Sequence, residues 1–226
     1  MFRSLALPVF ALAALCASSA FAQDGSAWDG FYAGVYGGYW AGNETITGSL
    51  APDPGFPSSG DLPAEADLAG YTAGGQAGYN WTAGGVVIGA ELDIGFGNAG
   101  YVLDSTGGLT NHREMQLNMT GAATVKVGIA AGSLMPYVLG GLAVARTTTT
   151  AWGDVIGVLE ERPLSATATH YGYVLGLGAA ARVGDAASIF IEGRYEQYAP
   201  TELDIGDGGT STLTGASIRA GINFDL

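Results

Sequence analysis

The chain has 226 residues, a formal net charge of -13 and 38 glycines against 8 prolines, with charged residues at only 13%. That is about half the charged share of an ordinary globular protein, and 8 scattered basic residues exclude a phosphate-tracking, nucleic-acid-binding surface. Mean hydropathy is +0.25, yet beyond the N-terminus no apolar run approaches the roughly 20 residues of a spanning helix.

The first segment, MFRSLALPVFALAALCASSAFAQ, predicts an export signal over residues 1–22. Arg3 is its basic end, residues 5–15 its apolar core, and Ala20-Phe21-Ala22 a small-residue site cleaved between Ala22 and Gln23. The single cysteine, Cys16, lies inside it behind bulky Leu15, where a lipid-modification signal carries a small residue. The exported chain, predicted over residues 23–226, then has no disulfide, and its net charge moves from -13 to -14 with the loss of Arg3.

From Trp28 onward the sequence alternates with period two, which sends successive side chains to opposite faces of a strand. An aromatic, glycine-rich run comes first (WDGFYAGVYGGYW). In YTAGGQAGYNW, Tyr71, Ala73, Ala77, Tyr79 and Trp81 oppose Thr72, Gln76 and Asn80. In VVIGAELDIGF, residues from Val86 to Phe96 set Ile88, Leu92 and Ile94 against Glu91 and Asp93. MQLNMTGAATVKVGI groups Leu117, Met119, Val125, Val127 and Ile129 against Gln116, Asn118, Thr120, Thr124 and Lys126. LMPYVLGGLAVAR alternates too weakly to assign faces. HYGYVLGLGAAARV sets Tyr171, Tyr173, Leu175, Leu177 and Val183 against glycines and Arg182. IFIEGRYEQY sets Ile189, Ile191 and Tyr195 against Glu192, Arg194 and Glu196, and TGASIRAGINFDL sets Ile218, Phe224 and Leu226 against Arg219, Asn223 and Asp225.

Long polar connections (residues 41–70, 97–114, 147–169 and 199–213) alternate strictly with tight turns (82–85, 130–133 and 184–187). Antiparallel strands send every second connection to the same end, so the long ones gather at one end and the turns at the other. Period two alone fits a secreted sandwich as well, but sandwiches rarely show this asymmetry and expose more Lys and Glu on their wet face, whereas lysine occurs once here. The expected fold is all-β: an eight-stranded antiparallel up-and-down transmembrane β-barrel with long outer loops and short periplasmic turns. Its apolar faces, with Tyr and Trp near strand ends, meet lipid, and its polar faces fill a narrow lumen. In that lumen Glu91, Asp93, Glu192 and Glu196 are expected to pair with Lys126, Arg182, Arg194 and Arg219, because a buried charge without a partner is expensive.

The runs WDGFYAGVYGGYWAGN, YVLGGLAVA, GYVLGLGAAARV with IFIEGRYEQY, and ASIRAGINFDL, in this order, resemble the small outer-membrane β-barrel (porin-family) proteins related to the OmpA transmembrane domain. The resemblance spans the whole predicted mature chain. It implies a Gram-negative cell outer membrane location after Sec-type export and a structural role in membrane integrity and surface presentation. A small passive porin and an adhesin or ligand-binding surface protein are the alternatives. The closing RAGINFDL looks like the family's assembly signal, carried by Arg219, Gly221, Phe224 and Leu226, although such signals most often end in an aromatic residue.

Little else points to chemistry. His112 and His170 lack metal-ligand spacing, and the presence of Asp104, Ser105 and His112 in one polar stretch is read as coincidence rather than a catalytic constellation. ELDIG occurs at residues 91–95 and 202–206; carboxylates two apart suit a hard cation, but ion pairing is the better reading of the first copy and an extended loop arm of the second. No catalytic residue, metal site or cofactor is expected. The outer connections are acidic, with Glu44, Asp53, Asp61, Glu65, Asp67, Glu202, Asp204 and Asp207. They are expected to face solvent, lipopolysaccharide bridged by divalent cations, or an extracellular ligand. The barrel-assembly machinery is the other expected partner.

Overall fold

The computed structural model describes residues 25–48, 65–106, 110–153, 164–203 and 209–226. The predicted signal with Ala22 and Gln23, the acidic positions Asp53, Asp61, Asp204 and Asp207, and most of the second ELDIG lie outside them.

A 3-10 turn (Gly25–Trp28) leads into strands β1 (Gly30–Gly48), β2 (Glu65–Ala83), β3 (Val86–Thr106), β4 (Thr110–Ile129), β5 (Leu134–Gly153), β6 (Leu164–Arg182), β7 (Ala187–Tyr198), β8 (Thr201–Leu203) and β9 (Gly209–Asp225). From β1 to β7 each strand pairs antiparallel with the next, β7 pairs with β9, and β1 closes the sheet by pairing with β9 from Tyr32↔Asp225 to Gly48↔Gly209. The short β8 pairs only with the start of β9 and follows β7 across Ala199-Pro200, so the two form one interrupted stave. Proline has no N–H to give a ladder, which accounts for the break. Eight staves therefore enclose the interior, as in an eight-stranded barrel whose lumen is filled by side chains.

The tight ends follow from local chemistry. Ala83 pairs with Val86 across Gly84 and Gly85, whose φ angles of 59° and 84° give the left-handed two-residue hairpin that glycine favours. Trp28 closes this end: it is buried, its Nε1 donates to the Gly132 carbonyl at 3.2 Å, and the Arg182 guanidinium lies 5.7 Å from its ring.

Outward, the expected faces appear: Leu92, Ile94, Val125, Leu175, Ile189, Ile191 and Ile218 are exposed, and so are Val35, Val138 and Leu142, in runs where alternation assigns no face. Aromatic rings bound this band: Phe31 packs on Tyr79 at 4.7 Å near the turn end, and Tyr39 on Tyr71 at 5.5 Å at the other. Phe31 and Tyr39 stand eight positions apart on β1, about 26 Å of strand at roughly 3.3 Å per residue, which matches an apolar band of about 25 Å once tilt and ring size are counted.

Three expectations need correction. The strands run well past the far girdle, 21 residues in β3 and 20 in β4 and β5, so residues 97–106 and 110–114 are strand where a connection was expected. Beyond the girdle neither face is apolar throughout, and polar composition there imitates a loop. Asn118 makes a bulge in β4: Leu117 pairs with Thr147 and Met119 with Arg146. The extra residue exchanges the faces beyond it, so Leu117 is buried inside and Gln116 is exposed, the reverse of the uninterrupted alternation. Glu44, expected on a solvated loop, points inward, fully buried, and accepts hydrogen bonds from Tyr101 at 2.6 Å and Ser211 at 2.5 Å. Exposed Glu65, Asp67 and Glu202 do face outward.

Candidate functional site

The interior is lined by rings alternating with glycines. On β1 the inward positions read Tyr32, Gly34, Tyr36, Gly38, Trp40, Gly42. A side chain at Gly215 would collide with the Trp40 ring, one at Gly178 with Tyr137, and one at Gly221 with Phe190. The glycines are the sockets that let large rings lie across a narrow lumen.

Those rings hold a charged layer halfway up the barrel. Lys126 Nζ lies 2.8 Å from Glu91 Oε2, which also accepts from Tyr32 at 2.7 Å. Arg194 reaches Glu91 at 3.3 Å and Asp93 at 2.8 Å and also pairs through Nε with Glu192. Arg219 reaches the same three carboxylates, at 3.2 Å, 3.2 Å and 2.7 Å. Tyr137 donates to Glu192 at 2.9 Å, while the faces of Tyr36 and Tyr32 lie 4.5 Å from the Arg219 guanidinium and 4.8 Å from Lys126 Nζ. Three carboxylates (Glu91, Asp93, Glu192) meet three cations (Lys126, Arg194, Arg219), so the layer is neutral as a whole, with side chains no more than 5% exposed.

Two residues expected in this network stand elsewhere. Arg182, at the turn end, pairs with Asp225 at 2.6 Å and donates to the Asp185 carbonyl. Glu196 occupies the next level towards the far end, where its carboxylate accepts from three neutral donors, Trp40 Nε1 at 2.9 Å, Tyr198 at 3.0 Å and Ser217 at 3.5 Å. Period two assigns a face but not a height, which depends on stagger between staves. Composition also hid the neutral donors: Tyr32, Tyr36, Tyr137, Trp40 and Tyr198 belong to the lumen, and the aromatic-glycine alternation on β1 was the available signal.

A cavity of about 20 Å³ lies on the far side of the layer between Trp40, Asp93, Arg194 and Tyr198, and one of about 10 Å³ on the turn side between Trp28, Lys126, Met135 and Asn223. The first has room for a single water. Gln76 Oε1, Asn80 Oδ1 and Thr124 Oγ1 are buried lumen atoms without a hydrogen-bond partner, and of the three only Asn80 lines one of these cavities, the smaller.

The remaining candidates do not converge. Asp104 pairs with His112 and Ser105 with Asn111 in the β3–β4 ladder, which places the backbones at the far end of the barrel, and their side chains lie outside the described residues. His170 is buried and bonds Thr147 through Nε2 at 3.0 Å, away from His112. Among the described residues no cluster of three metal-ligating side chains occurs. Of the tail residues, Arg219 belongs to the charged layer, Gly221 lies beneath the Phe190 ring, Phe224 is an outward ring near the turn end, and the Leu226 side chain is exposed.

The family model of the outer membrane protein beta-barrel domain matches residues 9–225. The chain is 27% identical over 186 residues to a 22 kDa outer membrane protein of Rhizobium leguminosarum bv. viciae, covering 81% of this chain and 71% of that protein. It is 29% identical over 220 residues to a 31 kDa outer-membrane immunogenic protein of Brucella melitensis, covering 89% and 85%. Among solved structures it is similar to the outer membrane protein OprG from Pseudomonas aeruginosa, with 13% identity, coverage of 88% of this chain and 97% of that one, and a TM-score of 0.47.

Proposed function

The chain belongs to the outer membrane protein β-barrel domain family and resides in the outer membrane, and we propose that within that membrane its role is structural: a plugged barrel that contributes to membrane integrity and presents its outer end at the surface. The observation that carries this reading is the neutral layer of Glu91, Asp93, Glu192, Lys126, Arg194 and Arg219, which crosses the lumen with its charges satisfied by one another. A hydrated ion or solute has to break several of these pairs to pass, and each broken buried pair costs about 3–5 kcal/mol. The larger flanking cavity has room for a single water rather than a substrate. The same satisfied carboxylates argue for a scaffold over an enzyme, since a general acid or base needs access to its substrate.

The partners follow from this placement. The barrel-assembly machinery would insert the chain through its C-terminal strand, and lipopolysaccharide would surround its outer end, with divalent cations or an extracellular ligand at the acidic connections. Single-channel recording of the purified protein in planar bilayers tests the plugged reading. A bilayer that stays at baseline at low voltage is the expected result, and a stable opening of nanosiemens size would instead make the protein a passive porin.

A further inference from the structure

Six basic residues are described, and five have interior or turn-end positions: Arg113, Lys126, Arg194 and Arg219 are buried, and Arg182 is half-buried beside Asp225. Arg146 alone among them is exposed on the outside of the barrel. Its height is set by the register. On β5 and β6 the outward pairs rise as Leu142↔Tyr173, Val144↔Tyr171, Arg146↔Thr169 and Thr148↔Thr167. Tyr171 and Tyr173 belong to the far aromatic girdle, so Arg146 stands one outward position above it, about 7 Å along the strand. That is where acyl chains end and the headgroups of the outer leaflet begin.

The surroundings are built of hydrogen-bonding groups. Thr148 donates to Asn118 Oδ1 at 2.8 Å, and Asn118 Nδ2 donates to Gln116 Oε1 at 3.2 Å, so the bulge residue is fixed outward beside Arg146. Gln116, Thr167 and Thr169 are exposed on the same face. The nearest described carboxylate on this face, Glu114, pairs with Thr150, four positions and about 13 Å further out. A guanidinium amid hydroxyls and amides at the edge of an apolar band complements a phosphorylated sugar carrying acyl chains. The guanidinium forks onto the phosphate, hydroxyls and amides meet the sugar, and the tyrosine girdle meets the chains.

We propose that Arg146, with Asn118, Gln116, Thr148, Thr167 and Thr169, forms a binding site for the phosphate-bearing glycolipid headgroup of the outer leaflet. This goes beyond the plugged-barrel role and rests only on the placement in the outer membrane. In a chain of net charge -13 facing an anionic leaflet, such a site gives the barrel a specific attractive contact with its neighbours.

The test uses the full protein folded in phosphatidylcholine nanodiscs and titrated with diphosphoryl lipid A, dephosphorylated lipid A, and the deacylated diphosphoryl disaccharide as a soluble probe. The unaltered protein is expected to prefer diphosphoryl lipid A over both others. Arg146→Gln should weaken that binding about five-fold, the effect of one cation at a lipid surface, Arg146→Glu should weaken it further, and Arg146→Lys should retain part of it. Arg182→Gln removes an equal charge at the opposite end and should leave it unchanged. Undiminished binding by Arg146→Gln overturns the proposal, and so does equal affinity for dephosphorylated lipid. Equal binding of the soluble disaccharide overturns it in favour of a free phosphosugar. Heat-modifiable gel mobility of the same samples reports barrel insertion, so an unaltered, inserted barrel that shows no preference counts against this site and not against the membrane placement.

Discussion

Glu192 shows how the lumen charges depend on one another. Its Oε1 takes the Nε protons of both Arg194 and Arg219, and its Oε2 takes the Tyr137 hydroxyl at 2.9 Å. Glu192→Gln keeps the shape but leaves two buried guanidinium groups with one fewer anion, and it is expected to cost about 3–5 kcal/mol, read as an earlier urea midpoint in tryptophan fluorescence. Arg182→Gln, at the half-buried turn-end pair whose Asp225 side chain is 36% exposed, should cost less, about 1 kcal/mol. Equal effects would mean that the lumen layer is hydrated like a surface. The pairing tendency of Glu91, Asp93, Glu192, Lys126, Arg194 and Arg219 was legible, because charges on the inner face of a narrow barrel have few other places to go. The positions of Arg182 and Glu196 were not, since both face inward but at heights that only inter-strand register defines.

Strand β4 marks the limit of pattern reading at the next scale. Val125, Val127 and Ile129 are outward as alternation requires, but the bulge at Asn118 turns Met115 and Leu117 into the interior. Nothing in the run QLNMTG distinguishes a bulge from a regular ladder. It arises because β4 has to match β3 on one side and β5 on the other, with a register shift against each. The two readings make opposite predictions. Leu117→Ala should cost about 2–5 kcal/mol of stability through a lost buried side chain, whereas Gln116→Ala should stay within about 0.5 kcal/mol. Denaturation midpoints of the two variants check this, and a reversed order would mean that the strand continues without a bulge. Its neighbour β5 explains the underestimated strand lengths. Thr147 and Thr149 face in while Thr148 and Thr150 face out, so both faces of β5 beyond the girdle are polar and read as a connection.

At the scale of the whole molecule, closure depends on β9, which pairs with β1 along one edge and with β7 along the other. The chain end is pinned by its backbone: Asp225 N–H donates to the Ala186 carbonyl at 3.0 Å and Leu226 N–H to the Phe31 carbonyl at 2.9 Å. The Leu226 side chain is 85% exposed, so it contributes little to packing inside the folded barrel. Phe224, two positions earlier, is half exposed on the outward face. An exposed apolar residue in register with an outward ring has two roles open to it, contact with lipid and recognition during insertion. Leu226→Asp separates the two. Refolded in detergent micelles, the variant should match the unaltered protein in heat-modifiable mobility and urea midpoint, because every described pairing of β9 is retained. Produced in cells, it should reach the outer membrane in reduced amount, measured by immunoblot of membrane fractions against the periplasmic pool. Equal outer-membrane levels would remove the assembly role from the tail, and a refolding defect in micelles would give Leu226 the lipid-contact role instead.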